Sequence, residues 1–165
     1  MTTTSATPPA VSRRDFLKLG WSALVGLAAL EAGTIALSYS LPRIAAGEFG
    51  SVFNCGAVAD FPNNTVTPFN AGRFYLVRLS DGGFLALYRR CTHLGCAVPW
   101  DPTQKHFVCP CHASAFDQTG NVLNTPAPRP LDLFPVSIAD GRVLVDTGRT
   151  IERERFEPEQ AVYVN

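Results

Sequence analysis

The chain carries no net charge, with 14 Lys and Arg against 14 Asp and Glu. A nucleic-acid partner usually demands a basic face, so there is no electrostatic case for one. The length, 165 residues, leaves no room for a second large core, and one modest domain is expected. After residue 50 no stretch shows the 3.6-residue apolar period of a useful amphipathic helix, and nothing repeats. One Met and two Trp decide nothing. Cysteine and histidine are scarce, at five and three. Yet "CTHLGCAVPWDPTQKHFVCPCHASAF", residues 91–116, holds four of those cysteines and all three histidines.

Glycine and proline are plentiful, at 13 each, and so many turns point to an all-β domain. "GRFYLVRLS" and "FLALYRR" read as two strands around a "DGG" hairpin turn. "KHFV" reads as a short strand leading into Cys109. "FPVSIADGRVLVD" reads as a second hairpin that turns at Asp140-Gly141. The charged tail after it, residues 148–165, reads as a helix, a partner-binding arm or solvated coil, with coil favoured.

The N-terminus stands apart from this domain. Residues 1–12 are small, polar and proline-containing, and are expected to be disordered. Ser12, Arg13, Arg14, Asp15, Phe16, Leu17 and a long apolar run then read as a twin-arginine export signal over residues 1–18. That route carries proteins already folded, as one with a cofactor inserted in the cytoplasm must be. Residues 19–41 are ~20 apolar positions, enough to span a bilayer as a helix. No small-x-small cleavage site follows, because Ile44 sits where a small residue is wanted, so an uncleaved anchor is expected. Arg13, Arg14 and Lys18 precede the run and only Arg43 follows closely, which places the N-terminus in the cytoplasm and the domain outside a bacterial cytoplasmic membrane. Glu31 inside the span, with Ala28, Ala32 and Ala36 at four-residue intervals, reads either as a helix-packing face or as ordinary signal composition. Residues 42–50 read as a hinge.

The chemistry lies in two matched pairs. Cys91-x-His93 and Cys109-x-x-His112 are separated by fifteen residues. Two thiolates and two imidazoles can hold a tetrahedral zinc. They can equally hold a [2Fe–2S] cluster in which histidine replaces cysteine on one iron.

"CTHLGC" and "CPCHASAF" resemble the two cluster-binding boxes of Rieske iron–sulfur proteins, and the resemblance covers about Ser51 to Asp146. It implies a Rieske-type antiparallel β-sandwich with a small cluster-binding subdomain over residues 51–147, preceded by one transmembrane helix. It implies a [2Fe–2S] cluster with Cys91 and Cys109 on the inner iron and His93 and His112 on the outer, solvent-near iron. The second nitrogens of those imidazoles would face a quinol. Cys96 and Cys111 would form the disulfide of the high-potential, membrane-bound branch, a bond suited to an oxidising compartment. Ser114 matches the serine whose hydroxyl donates to a bridging sulfide. Phe116 stands where the highest-potential members carry a tyrosine that donates to a cluster cysteine. Hydrogen bonds to sulfur raise the potential, so one donor fewer implies a value in the middle of the Rieske span of about −150 to +300 mV. That would suit menaquinol. Ala113 replaces the usual Gly. "NTPAPRPL", residues 124–131, resembles the proline loop that covers the cluster, with Thr125 in place of Gly before Pro126. Leu94 belongs to the first box. Cys55 and His106 match no part of the motif and read as a small buried residue and a surface side chain.

The resemblance implies an electron carrier, a subunit of a quinol:cytochrome c (or plastocyanin-like acceptor) oxidoreductase of the cytochrome bc type. Its partners would be a cytochrome b-type membrane subunit, quinol, the membrane, and a cytochrome c or copper protein as acceptor. The alternative is the small relay subunit of a periplasmic molybdenum oxidoreductase such as arsenite oxidase.

Overall fold

The computed structural model describes residues 12–41 and 47–164. The disorder expected of residues 1–11 and most of the hinge, residues 42–46, fall outside them. The chain divides into two compact units, residues 1–43 and 44–165.

The first unit is one helix, α1 (Arg13–Ser40). Ser12 caps it, its hydroxyl oxygen accepting from the Asp15 N–H at 3.2 Å. The helix thus starts at the twin arginines, six residues before the apolar run, because the cap residue lies immediately ahead of them. It ends before Pro42, where the preceding residue disfavours helical geometry. At 28 residues it is about 42 Å long, and it is apolar enough to cross a membrane. Ser22, Thr34, Ser38 and Ser40 turn their hydroxyls back onto carbonyls three or four residues earlier. Their protons are therefore satisfied without water, as a hydrocarbon environment requires.

The second unit is all-β. Its strands are β1 (Val52–Ala57), β2 (Thr65–Phe69), β3 (Phe74–Arg78), β4 (Phe84–Tyr88), β5 (Trp100–Asp101), β6 (His106–Val108), β7 (Ala115–Phe116), β8 (Val122–Asn124), β9 (Leu133–Phe134), β10 (Val136–Ala139) and β11 (Arg142–Asp146). They form three antiparallel sheets, in the orders β1-β11-β10, β2-β3-β4-β9 and β5-β6-β7-β8. The third sheet carries the two Cys/His boxes on its loops.

The strands β3 and β4 form the central layer, buried on both faces. Phe74, Leu76, Phe84 and Ala86 point into one core, with Phe53, Phe134, Val143 and Val145. Tyr75, Val77, Leu85 and Leu87 point into the other, with Val98, Phe107, Phe116 and the sulfurs of Cys91 and Cys109. The two-residue period of a strand produces this split, and continuous apolar runs such as "FYLV" and "FLAL" are its signature. The expected hairpins are present. Asp140 and Gly141 both take positive φ, 51° and 69°, as a tight two-residue hairpin needs.

The tail differs from expectation. Ile151 bridges to Leu133 on β9 and Val162 to Phe84 on β4, so the segment joins the second sheet instead of lying free in water. Arg153 is buried, at 6% exposure. Its guanidinium donates to Leu131 O at 2.8 Å, Thr119 O at 2.5 Å and Gln160 Oε1 at 3.0 Å. Charge density in the sequence concealed this, because the decisive acceptors are backbone carbonyls of distant loops.

Candidate metal centre

The two boxes adopt one backbone design. The Cys91 N–H donates to Cys96 O at 2.8 Å, and the Gly95 N–H donates to Cys91 O at 2.9 Å. In the second box the Cys109 N–H donates to Ser114 O at 2.8 Å, and the Ala113 N–H donates to Cys109 O at 2.9 Å. Each loop closes through a residue with positive φ four positions after its first cysteine, Gly95 at 81° and Ala113 at 59°. Glycine takes that conformation without penalty, while alanine pays roughly 1–2 kcal/mol. This gives Ala113 a physical reading that its identity alone did not supply.

The loops bring like donors together. Cys91 and Cys109 are both 2% exposed, and their thiols lie within hydrogen-bonding range of each other. The His93 and His112 rings sit further out, with centroids 4.9 Å apart and planes at 87°. His93 is half-buried and His112 exposed. A disulfide joins Cys96 to Cys111 and ties one loop to the other. Burial pushes the Cys91 thiol above its ordinary pKa, against the opposing pull of the His93 N–H and the Ser114 hydroxyl. Burial of this kind disfavours a bare thiolate.

This arrangement fits a two-iron cluster. It provides a buried sulfur pair and, separately, an outer nitrogen pair, one pair for each iron. A single zinc would need all four donors around one point. Among the described residues, the three donor atoms found within 4.8 Å of one another belong to Cys96, Cys109 and Cys111. Two of those sulfurs are consumed by the disulfide, so the trio is not an ion site.

The other singled-out residues fall as follows. Ser114 is fully buried, and its oxygen accepts from the Ala127 N–H at 3.0 Å while its hydroxyl interacts with the Cys91 sulfur. Phe116 is fully buried on β7 opposite Phe107 and brings no donor. Leu94, in the first box, is 68% exposed, and Pro126, in the 124–131 loop, is exposed as well. His106 lies on β6 with Nδ1 3.0 Å from Gln104 O, away from the centre. Cys55 is half-buried on β1, and burial pushes its thiol up to about 12.

Sequence reasoning missed the ties that fasten the 124–131 loop over the centre. The Thr92 hydroxyl donates to Arg129 O at 2.6 Å, and the Asn124 amide donates to Ala113 O at 2.9 Å. Arg129 pairs with Asp132 and, at 3.4 Å, with Glu152 of the tail. A carbonyl acceptor across 37 residues leaves no mark in a sequence pattern, so only the proline spacing was available as a signal.

Residues 51–135 match the profile of the Rieske [2Fe-2S] domain. The chain is 33% identical over 156 residues to the cytochrome b6-f complex iron-sulfur subunit of Synechococcus elongatus, covering 83% of this chain and 85% of that one. Among solved structures, the plasma membrane Rieske protein of the cyanobacterium Synechocystis is 34% identical, with 56% of this chain and 97% of that chain covered and a TM-score of 0.45. A chain of a hyperthermophilic respiratory Complex III is 27% identical, with 76% and 98% covered and a TM-score of 0.48.

Proposed function

The chain belongs to the Rieske [2Fe–2S] family, and on that footing we propose that it is the electron-transfer subunit of a quinol-oxidising complex of the cytochrome bc type. The observation that carries the reading is the sorting of donors, with buried Cys91 and Cys109 inside and His93 and His112 outside. Cys91 and Cys109 would hold one iron through Sγ, and His93 and His112 would hold the other through a ring nitrogen. When bound, the cluster supplies reversible one-electron transfer.

The residues of the chain do the rest. The outward ring nitrogen of His93 or His112 accepts a hydrogen bond from the quinol hydroxyl and takes its proton. Exposed Leu94 and Pro126 offer an apolar rim to the quinol ring and to the cytochrome b-type subunit. The disulfide and the 124–131 loop exclude water from the sulfur side. The Ser114 hydroxyl polarises the Cys91 sulfur and stabilises the reduced state. With Phe116 in place of a donor, the potential falls in the middle of the family's range, which suits menaquinol.

One N-terminal apolar helix and a relative that is a subunit of the cytochrome b6-f complex support a single-pass anchor. The arginines ahead of the helix support an N-terminus in the cytoplasm and the domain on the far side, where the disulfide is stable. The electron then passes from quinol to a cytochrome c or copper protein.

The test is a tagged purification from native membranes in mild detergent. The reading expects haem b to copurify and to become reduced on adding a menaquinol analogue. Arrival with a molybdenum-containing subunit and no haem b would refute it.

A further inference from the structure

Most arginines of the domain have an acceptor. Arg78 donates to the carbonyls of Val58 and Phe61, and Arg142 to the Asn54 amide oxygen. Arg129 and Arg155 pair with carboxylates. Arg73, Arg89 and Arg90 form no ion pair among the described residues, yet all three line one open cavity of about 440 Å³ beside the first Cys/His box. No acidic side chain lines it.

The three are held in place. Arg73 takes a positive φ of 55°, unusual for a residue other than glycine, and its guanidinium lies 4.7 Å above the Phe49 ring. Arg89 is half-buried, and its guanidinium donates to Asn70 Oδ1 at 2.6 Å. Arg90 lies over Gly95, where an added Cβ would come within 3.1 Å of its Nε. Three like charges converging without a counter-charge is costly unless an anion completes them. A carboxylate offers two oxygens, which one planar guanidinium fork already matches, whereas a phosphate group has enough oxygens to engage several forks.

We infer that Arg73, Arg89 and Arg90 form a binding pocket for a phosphate group, supplied either by an anionic lipid headgroup or as free phosphate. An anchored chain meets lipid phosphates at high local concentration.

The experiment is calorimetric titration of the oxidised full-length protein in non-ionic detergent at fixed ionic strength. One arm uses inorganic phosphate. The other uses dihexanoylphosphatidylglycerol below its micelle concentration. The comparison is the double variant Arg73→Gln, Arg90→Gln, chosen because both side chains are exposed and their loss leaves the cores intact. Its reduced-state EPR spectrum confirms that the domain is folded. Saturable binding that weakens about tenfold or more in the variant is expected. Tighter binding of the lipid analogue identifies the headgroup as the source, and tighter binding of phosphate identifies the free anion. Absence of saturable binding in both arms, or equal binding by the wild type and the variant, overturns the inference. No quinol is present, so neither result bears on the electron-transfer reading.

Discussion

Replacing Arg153 by Met removes the charge and keeps much of the volume, which isolates what the guanidinium does for the tail. Burial lowers the Arg153 pKa from the ordinary 12.5 to about 10, so holding it charged inside costs roughly 3 kcal/mol. Hydrogen bonds from a charged donor contribute about 1.5–3 kcal/mol each, and Arg153 makes three, to Leu131 O, Thr119 O and Gln160 Oε1. The gain exceeds the cost. The variant loses both terms, and the Leu131 and half-buried Thr119 carbonyls lose their donor. Three such bonds less the cost of burial leave a net loss of about 1.5–6 kcal/mol. For a domain of this size that lowers Tm by roughly 6–24 °C. Thermal unfolding of the full-length protein in detergent, followed by near-ultraviolet circular dichroism, measures it. Hydrogen exchange at the Ile151 and Val162 amides, which pair with Leu133 and Phe84, should accelerate together. A fall in Tm under about 2 °C with both amides still protected would refute the claim that Arg153 fastens the tail.

Four further outcomes follow from the same geometry. Replacing Cys96 and Cys111 together by Ser opens a crosslink with a sequence separation of 15, and should cost about 3 kcal/mol in denaturant unfolding while making the cluster more labile to chelators. Ala113→Gly relieves the positive φ of 59° and should stabilise the domain by about 1 kcal/mol in the same assay, with a loss of stability contradicting the strain. Phe116→Tyr adds a donor beside buried cysteine sulfur and should raise the midpoint potential in a redox titration, and an unchanged or lower value would remove Phe116 from the tuning residues. The Gly83 N–H first, and then the Tyr163 hydroxyl, hold the Asp81 carboxyl below its ordinary pKa. A lowered acid pKa stabilises above the ordinary carboxylate range and loses that effect as pH falls through the folded value. The end of the tail should therefore loosen only in strong acid, and Tyr163→Phe should shift the Asp81 titration upward by carbon NMR.

What could be read in advance was local. The "DGG" and Asp140-Gly141 turns, and the apolar runs of β3 and β4, depend on neighbours in the chain and were legible. The two boxes were legible because the backbone hydrogen bonds that close each loop lie within five residues. The tail was not, since its anchors are a carbonyl 34 residues away, reached by Arg153, and bridges to Leu133 and Phe84. Ala113 was opaque for a different reason, because a backbone angle is invisible until the loop is built. The role of Ser114 was visible only in half. Its interaction with Cys91 accompanies an expected donor to the cluster, but its acceptance from Ala127 ties down the proline loop as well.

The most direct test of the account mixes isolated native membranes with a menaquinol analogue, freezes them within the first turnover, and records EPR and haem spectra on the same sample. The account predicts a reduced [2Fe–2S] signal from this chain, with haem b reduced in step, and loss of that signal when His112 is replaced by Ala. A cluster that quinol leaves oxidised, while haem b is reduced normally, would contradict it.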